Sequence, residues 1–211
     1  MDCKDRYIEL YTVQPEKIAD SIRQGHCHYA KMKYIEDKYG DVKGVFLNAY
    51  HWYVRQASAI VKRPEQAESG IWTFLNKRYT EQHPGYQVMK LRVPVGEAVF
   101  FRMSDWNKVL NLRYVGKTKE EEDTYSEKLE KYGITYEGEV CETPFYPQLK
   151  GELTASWNNL FRFDQKVKSG GPVEFEDMQA GLWCIKTEWV AGVTPAPGVS
   201  GKGSDSWQGS R

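Results

Sequence analysis

The sequence predicts an α+β domain, and three observations carry that expectation. Short runs rich in β-branched and aromatic residues, such as "RYIELYTV" at 6–13, read as strands. Longer runs with apolar residues three and four apart, such as "VFLNAYHWYVRQASAIVKR" at 45–63, read as helices. The two kinds alternate along the chain, and "MKLRV" places Met89, Leu91 and Val93 on one parity against Lys90 and Arg92 on the other, so part of the sheet has one wet face. A single domain over 1–190 is expected, with a mixed, mostly antiparallel sheet flanked by helices. The alternative arrangement is an all-helical domain with peripheral hairpins.

Each element follows in order. After the first strand, Pro15 opens a short helix, "PEKIADSIRQ", with Ile18 and Ile22 on one face and Gly25 as its stop. The stretch "HCHYAKMKYIEDKYGDVK" has no clear period. In the long helix at 45–63, Phe46, Ala49, Tyr50, Tyr53, Ala57 and Ile60 form the buried stripe, and Pro64 ends it. "GIWTFL" at 70–75 is a strand, and "YQVMKLRVPVGEAVFF" is two strands broken at "PVGE". Ser104 and Asp105 predict an N-cap and an acidic first turn for "DWNKVLNLRYV". "KTKEEEDTYSEKLEKYG" at 117–133 is a charged helix stopped by Gly133, with a solvated face. "ITYEGEVCETPFYPQLKGE" reads as a loop or extra hairpin, and "LTASWNNLFRF" as a helix. The last strand lies in "FEDMQAGLWCIKTEWV" at 175–190, where Met178, Ala180, Leu182 and Cys184 make a core parity. Residues 191–211, rich in Gly, Ser and Pro, form a flexible tail.

Composition narrows the function classes. The 211 residues carry 29 basic and 29 acidic side chains, so no global field draws the chain to nucleic acid or anionic lipid. No apolar run approaches the ~18 residues of a membrane helix, and no signal peptide opens the chain; a cytoplasmic protein with no membrane partner is expected. The scattered Cys3, Cys27, Cys141 and Cys184 read as free thiols. The aromatic content of 14% suits a core of flat side chains and equally a grip on a planar ligand.

Motifs of common enzymes are missing: the sequence has no GxGxxG, Walker loop, GxSxG or HExxH. His26 and His28 project together but two ligands do not make a zinc site, so no metal is expected. Cys184 lies on the core parity, where a buried thiol is inert. What remains is a set of polar and aromatic residues on three strands: Tyr11, Thr12 and Gln14 on the first, Trp72 and Thr73 on the middle, and Gln179, Gly181 and Trp183 on the last, with Glu174 and Glu176 just before it. Lys77, Arg78, Lys90 and Arg92 form the one local basic cluster.

Two resemblances rest on these residues. The segments "LYTVQP", "FLNAYHWYVRQ", "GIWTFL", "SDWNKVLNLRYV", "SWNNLF" and "MQAGLWCIKTEWV", in this order, resemble a family of bacterial and phage proteins grouped as a domain of unknown function. More remotely, the first strand with its "LY" and polar residue, the short helix ending in Gly, the middle-strand hydroxyl and the last-strand amide are similar to ADP-ribosyltransferases of the toxin and DNA-modifying branch. That second resemblance implies a split sheet whose cleft holds NAD as substrate, in a toxin or phage-conflict setting with an antitoxin or other protein partner. Carried over, Thr12, Gln179 and Glu176 take the catalytic positions, and Tyr11, Gln14, Trp72, Thr73, Gly181 and Trp183 bind NAD. The chain departs from that pattern in having Thr12 where the family has His or Arg and Gln179 where it has a carboxylate, so Glu174 or Glu176 must activate the acceptor, a nucleic acid or protein. The second expectation is a non-enzymatic module that binds a protein or nucleic-acid partner through exposed aromatics and the tail.

Overall fold

The computed structural model describes residues 6–40, 43–81 and 83–195. Six strands, β1 (Tyr7–Pro15), β2 (Ile71–Phe74), β3 (Tyr86–Pro94), β4 (Ala98–Arg102), β5 (Met178–Leu182) and β6 (Val190–Pro195), form one sheet in the order β4-β5-β2-β1-β3-β6. Every pairing is antiparallel. The α+β class holds, and the expected first, middle and last strands lie side by side as β1, β2 and β5.

Alternation then sorts the core. On one face Leu10, Met89, Leu91, Phe100, Met178, Ala180 and Leu182 pack with Ala19 and Ile22 of α1 (Glu16–Arg23). On the other face Val99, Phe101 and Trp72 pack under two helices, α3 (Lys43–Ile60) and α4 (Met103–Leu110). In α3 the stripe Ala49, Tyr50, Tyr53 and Ala57 is buried, as its spacing predicts, and Trp106 of α4 meets Tyr53 edge to face. α5 (Lys119–Lys131), α6 (Glu139–Glu142) and α7 (Pro147–Ser156) join α3 and α4 in the same core cluster, and a 3₁₀ turn at Trp157–Phe161 brings Phe161 back against Phe101 of β4. The chain returns to the sheet through α8 (Asp164–Lys168), where buried Asp164 accepts from Phe100 N at 2.9 Å and pairs with Lys168.

Several elements correct the sequence reading. α2 (Met32–Tyr39) is a helix in the stretch that lacked a period; only Ile35 on it is buried, so its apolar stripe is too narrow to stand out. Residues 139–142 and 147–156 are helical rather than a hairpin, with Pro147 at the first turn of α7 setting its φ. Ser104 does not cap α4; its N–H donates instead to Asp177 at 3.1 Å, so the cap comes from the segment before β5. The strand β6 runs to Pro195 along β3, so ordered structure extends past 190, and the remainder of the expected tail, 196–211, lies outside the described residues, as does Cys3. Thr118 accepts from Glu121 N and caps α5, and Gly133 at φ +72° ends it, as expected.

Candidate functional site

The sheet is parted at its middle. β1 runs the length of β3 in a register from Tyr7↔Pro94 to Pro15↔Tyr86, but it registers with β2 at Tyr11↔Phe74 alone. β2 stops after four residues, while β1 continues past its end. Side chains complete the junction: Thr12 Oγ1 donates to Trp72 O at 3.0 Å, and Gln14 Nε2 donates to Thr12 Oγ1 at 3.0 Å. The parting opens a groove of about 520 Å³ beyond β2, lined by Glu9 and Tyr11 of β1, Leu75 to Lys77 after β2, and Val173 to Glu176 before β5.

Register decides which expected residues meet there. Thr12 opposes Met89 and Thr73 opposes Ala180, and both partners belong to the α1 face. Gln179 opposes Phe101 and Gly181 opposes Val99, which belong to the α3 face. Thr12, Thr73 and Gln179 therefore do not converge: two sit on one side of the sheet and the third on the other. None is open to a ligand, since they are 1%, 0% and 2% exposed, and Thr73 Oγ1 donates to Ala180 O at 2.9 Å. The expectation that Gln179, Gly181 and Trp183 form a non-core face is corrected. α3 lies over Gly181, and a Cβ there would strike the Tyr53 hydroxyl and come within 3.1 Å of Trp72 Cζ3. Trp183 is buried and donates from Nε1 to Val61 O at 2.9 Å. Trp72 packs among Tyr50, Tyr53, Phe101 and Trp106. Gln179 Nε2 has no hydrogen-bond partner among the described residues.

Tyr11, Glu174 and Glu176 do come together, at the groove. Their electrostatics are those of paired surface groups. Glu9 accepts from Lys90 Nζ at 2.6 Å and from the Tyr11 hydroxyl; the Lys90 bond first and the Tyr11 bond second hold its carboxyl below the usual range, and Glu9 in turn raises the Tyr11 phenol. Glu176 pairs with Arg78 and Glu174 with Lys166 at 2.5 Å. Behind the groove, burial acts to raise Asp177, but hydrogen bonds from Ser104 and Arg102 outweigh it and set the carboxyl below its ordinary value. Arg102 Nε lies 3.0 Å from Asp177 Oδ1 with its guanidinium over Phe175, so the segment before β5 is tied to the end of β4. Asp105 in α4 is raised by burial and pairs with Arg162 at 3.0 Å.

Sequence reading missed the lining by Glu9 and Asn76–Lys77. The signal was present in the brevity of "IWTF" against the length of "YIELYTVQP", which leaves the longer strand unmatched beyond the shorter. Among the described residues no group of three or more His, Cys, Asp and Glu could hold a metal, and His28 instead bridges to Ile185. Among them, too, no helix is long and apolar enough to cross a membrane.

A family model described as "Domain of unknown function (DUF3841)" matches residues 9–191, from Glu9, the first of the two β1 residues that line the groove, to the second residue of β6. The chain belongs to this family. The family match thus takes in β2 to β5 entire, the parted junction and the groove. No curated protein and no solved structure matches the chain.

Proposed function

We propose that the groove is the catalytic cleft of an NAD-dependent ADP-ribosyltransferase, with Glu176 in the role that the sequence resemblance divides between it and Gln179. The observation that carries this reading is the groove itself, set where β1 and β2 part and lined from the first strand, the end of the middle strand and the approach to the last. Its volume of about 520 Å³ suits a small-molecule ligand. Tyr11 and Phe175 supply flat walls, Lys77 a cation for phosphate, and Glu174 and Glu176 carboxylates.

The chemistry asks little more. The C–N bond to nicotinamide breaks with its electron pair leaving on the pyridine nitrogen, and the ribosyl cation left behind is captured by an acceptor oxygen that gives up its proton. A carboxylate about 4 Å from that cation contributes up to ~4 kcal/mol at an effective dielectric of ~20, and solvent at this open site lowers the gain to about 10² in rate. Glu176 takes this part while hydrogen-bonding the ribose, and Arg78, its ion-pair partner at the rim, is released toward the pyrophosphate. Glu174 is the acceptor's base. Gln179, Thr12, Thr73, Gly181 and Trp183 keep the strands in place, because their polar atoms and surfaces are enclosed.

The test is nicotinamide release from NAD, with and without added nucleic acid or protein, together with transfer of label from the adenylate. Glu176→Gln is expected to slow release about 10² fold with an unchanged melting temperature, since the side chain is 68% exposed. A rate unaffected by Glu176→Gln, or no NAD consumption together with no NAD binding by calorimetry, ends the reading.

A further inference from the structure

The helices cover only part of the sheet. On the α3 side they lie over β4, β5 and β2, while the half made by β1 and β3 presents Tyr7, Glu9, Tyr11, Lys90 and Arg92 outward. Tyr7 is 50% exposed and the Lys90 side chain 45%. Glu9 stands directly opposite Arg92 and Tyr11 opposite Lys90, so these side chains form two cross-strand rows with Tyr7 beyond them. The Arg92 guanidinium lies over the Tyr7 ring at 4.5 Å from its centroid, a stacked plane fixed before any ligand arrives. Next to Lys90 on β6 stands Gly192, where an added Cβ would meet only Lys90 Cβ at 3.9 Å, so the floor beside the cation is low enough for a polymer backbone.

We propose that this open half-sheet binds single-stranded nucleic acid. Two rings about 13 Å apart along β1, four residues at ~3.3 Å each, offer separate stacking surfaces to unpaired bases. Among the described residues the face carries Arg92 and Lys90 against the one carboxylate of Glu9, which Lys90 pairs at 2.6 Å, and Glu9 turns the phosphate track toward β3 and away from the groove. Lys77 and Arg78 stand on the far side of the groove from this face. Tyr86 is not part of the surface: on its face of β3 the buried Val88 separates it from Lys90. Among the described residues of this half-sheet the exposed groups are strand side chains, with no helix of its own to enter a duplex groove, whereas splayed bases reach the rings directly. Binding here does not depend on ADP-ribosyl transfer; it makes a single strand a substrate candidate if the groove is catalytic, and stands alone if it is not.

Fluorescence anisotropy of labelled oligothymidylate, oligouridylate and a matching duplex with the full chain, without NAD, tests it. Single strands are expected to bind with a dissociation constant on the order of 10 µM at low salt, and log K to fall with log salt at a slope of about −1.4, or ~0.7 for each of two phosphates. Tyr7→Ala combined with Arg92→Ala weakens binding about tenfold or more without changing the melting temperature. The proposal fails if neither strand binds, if the double variant binds as the parent does, if salt has no effect, or if the duplex binds as well as the single strands. Because the assay contains no NAD, its failure and that of the transferase reading are separate outcomes.

Discussion

β5 and the β1–β3 pair belong to the same sheet but obey different rules. Every residue of β5 is buried, with Met178, Ala180 and Leu182 facing the α1 side and Gln179 and Gly181 facing α3. β1 and β3 bury the parity of Leu10, Met89, Leu91 and Val93 and leave Glu9, Lys90 and Arg92 of the other parity in solvent, where only Val88 of β3 is buried among the described residues. Alternation therefore separates inside from outside only where one face is uncovered. In β5 it separates one core from another, and the odd face of Gln, Gly and Trp is odd because a helix sits on it.

The sharpest way to break this comparison is a matched pair of glycines. Gly181→Ala inserts a methyl group against the Tyr53 hydroxyl and Trp72 and is expected to cost about 2–4 kcal/mol, or to prevent folding, whereas Gly192→Ala, whose methyl meets only Lys90 Cβ at an ordinary 3.9 Å, changes stability by less than about 0.5 kcal/mol. Urea unfolding of both variants measures the difference, and similar costs would mean that the two halves do not differ in packing. Next in size, Trp183→Phe removes a buried N–H and leaves Val61 O unpaired; a loss of about 1–3 kcal/mol is expected by the same method. Smaller again is an acid effect. Asp177 has a folded pKa below 3.8, so its contribution is present above that pH and fades as pH falls through the folded value; Asp177→Asn should flatten the pH dependence of the melting temperature below about pH 4. Smallest, Lys90→Ala on the wet half should leave stability within about 0.5 kcal/mol, because its pair with Glu9 is exposed.

The fold was legible where one physical cause dominates a segment. The stripe of α3, the wet parity of β3 and the Gly133 stop each follow from spacing or backbone freedom alone. α2 and α6 escaped because each buries one side chain and so carries almost no pattern. β6 escaped because "VAGVTP" is held by backbone pairing to β3 rather than by large side chains. At the site, sequence named the right strands and misjudged the faces. Thr12, Thr73 and Gln179 are strand residues of alternating parity on neighbouring strands, and only the register Thr73↔Ala180, not any feature of the residues, tells which way each points. Tyr11 and Glu176 reach the groove because Tyr11 stands opposite Phe74, the last residue of the shortest strand, and Glu176 lies just before β5.

The Thr12 junction has a mechanical meaning. Elsewhere in this sheet neighbouring strands register over four or more residues, but the two halves meet at Tyr11↔Phe74, with Thr12 and Gln14 adding a stitch from the side chains. This seam is held by fewer backbone pairs than any other between neighbouring strands of the sheet, and side chains make up part of the difference. The hydroxyl of Thr12, on the side of the sheet away from the groove, thus fastens the seam that borders the groove from the opposite face of the protein.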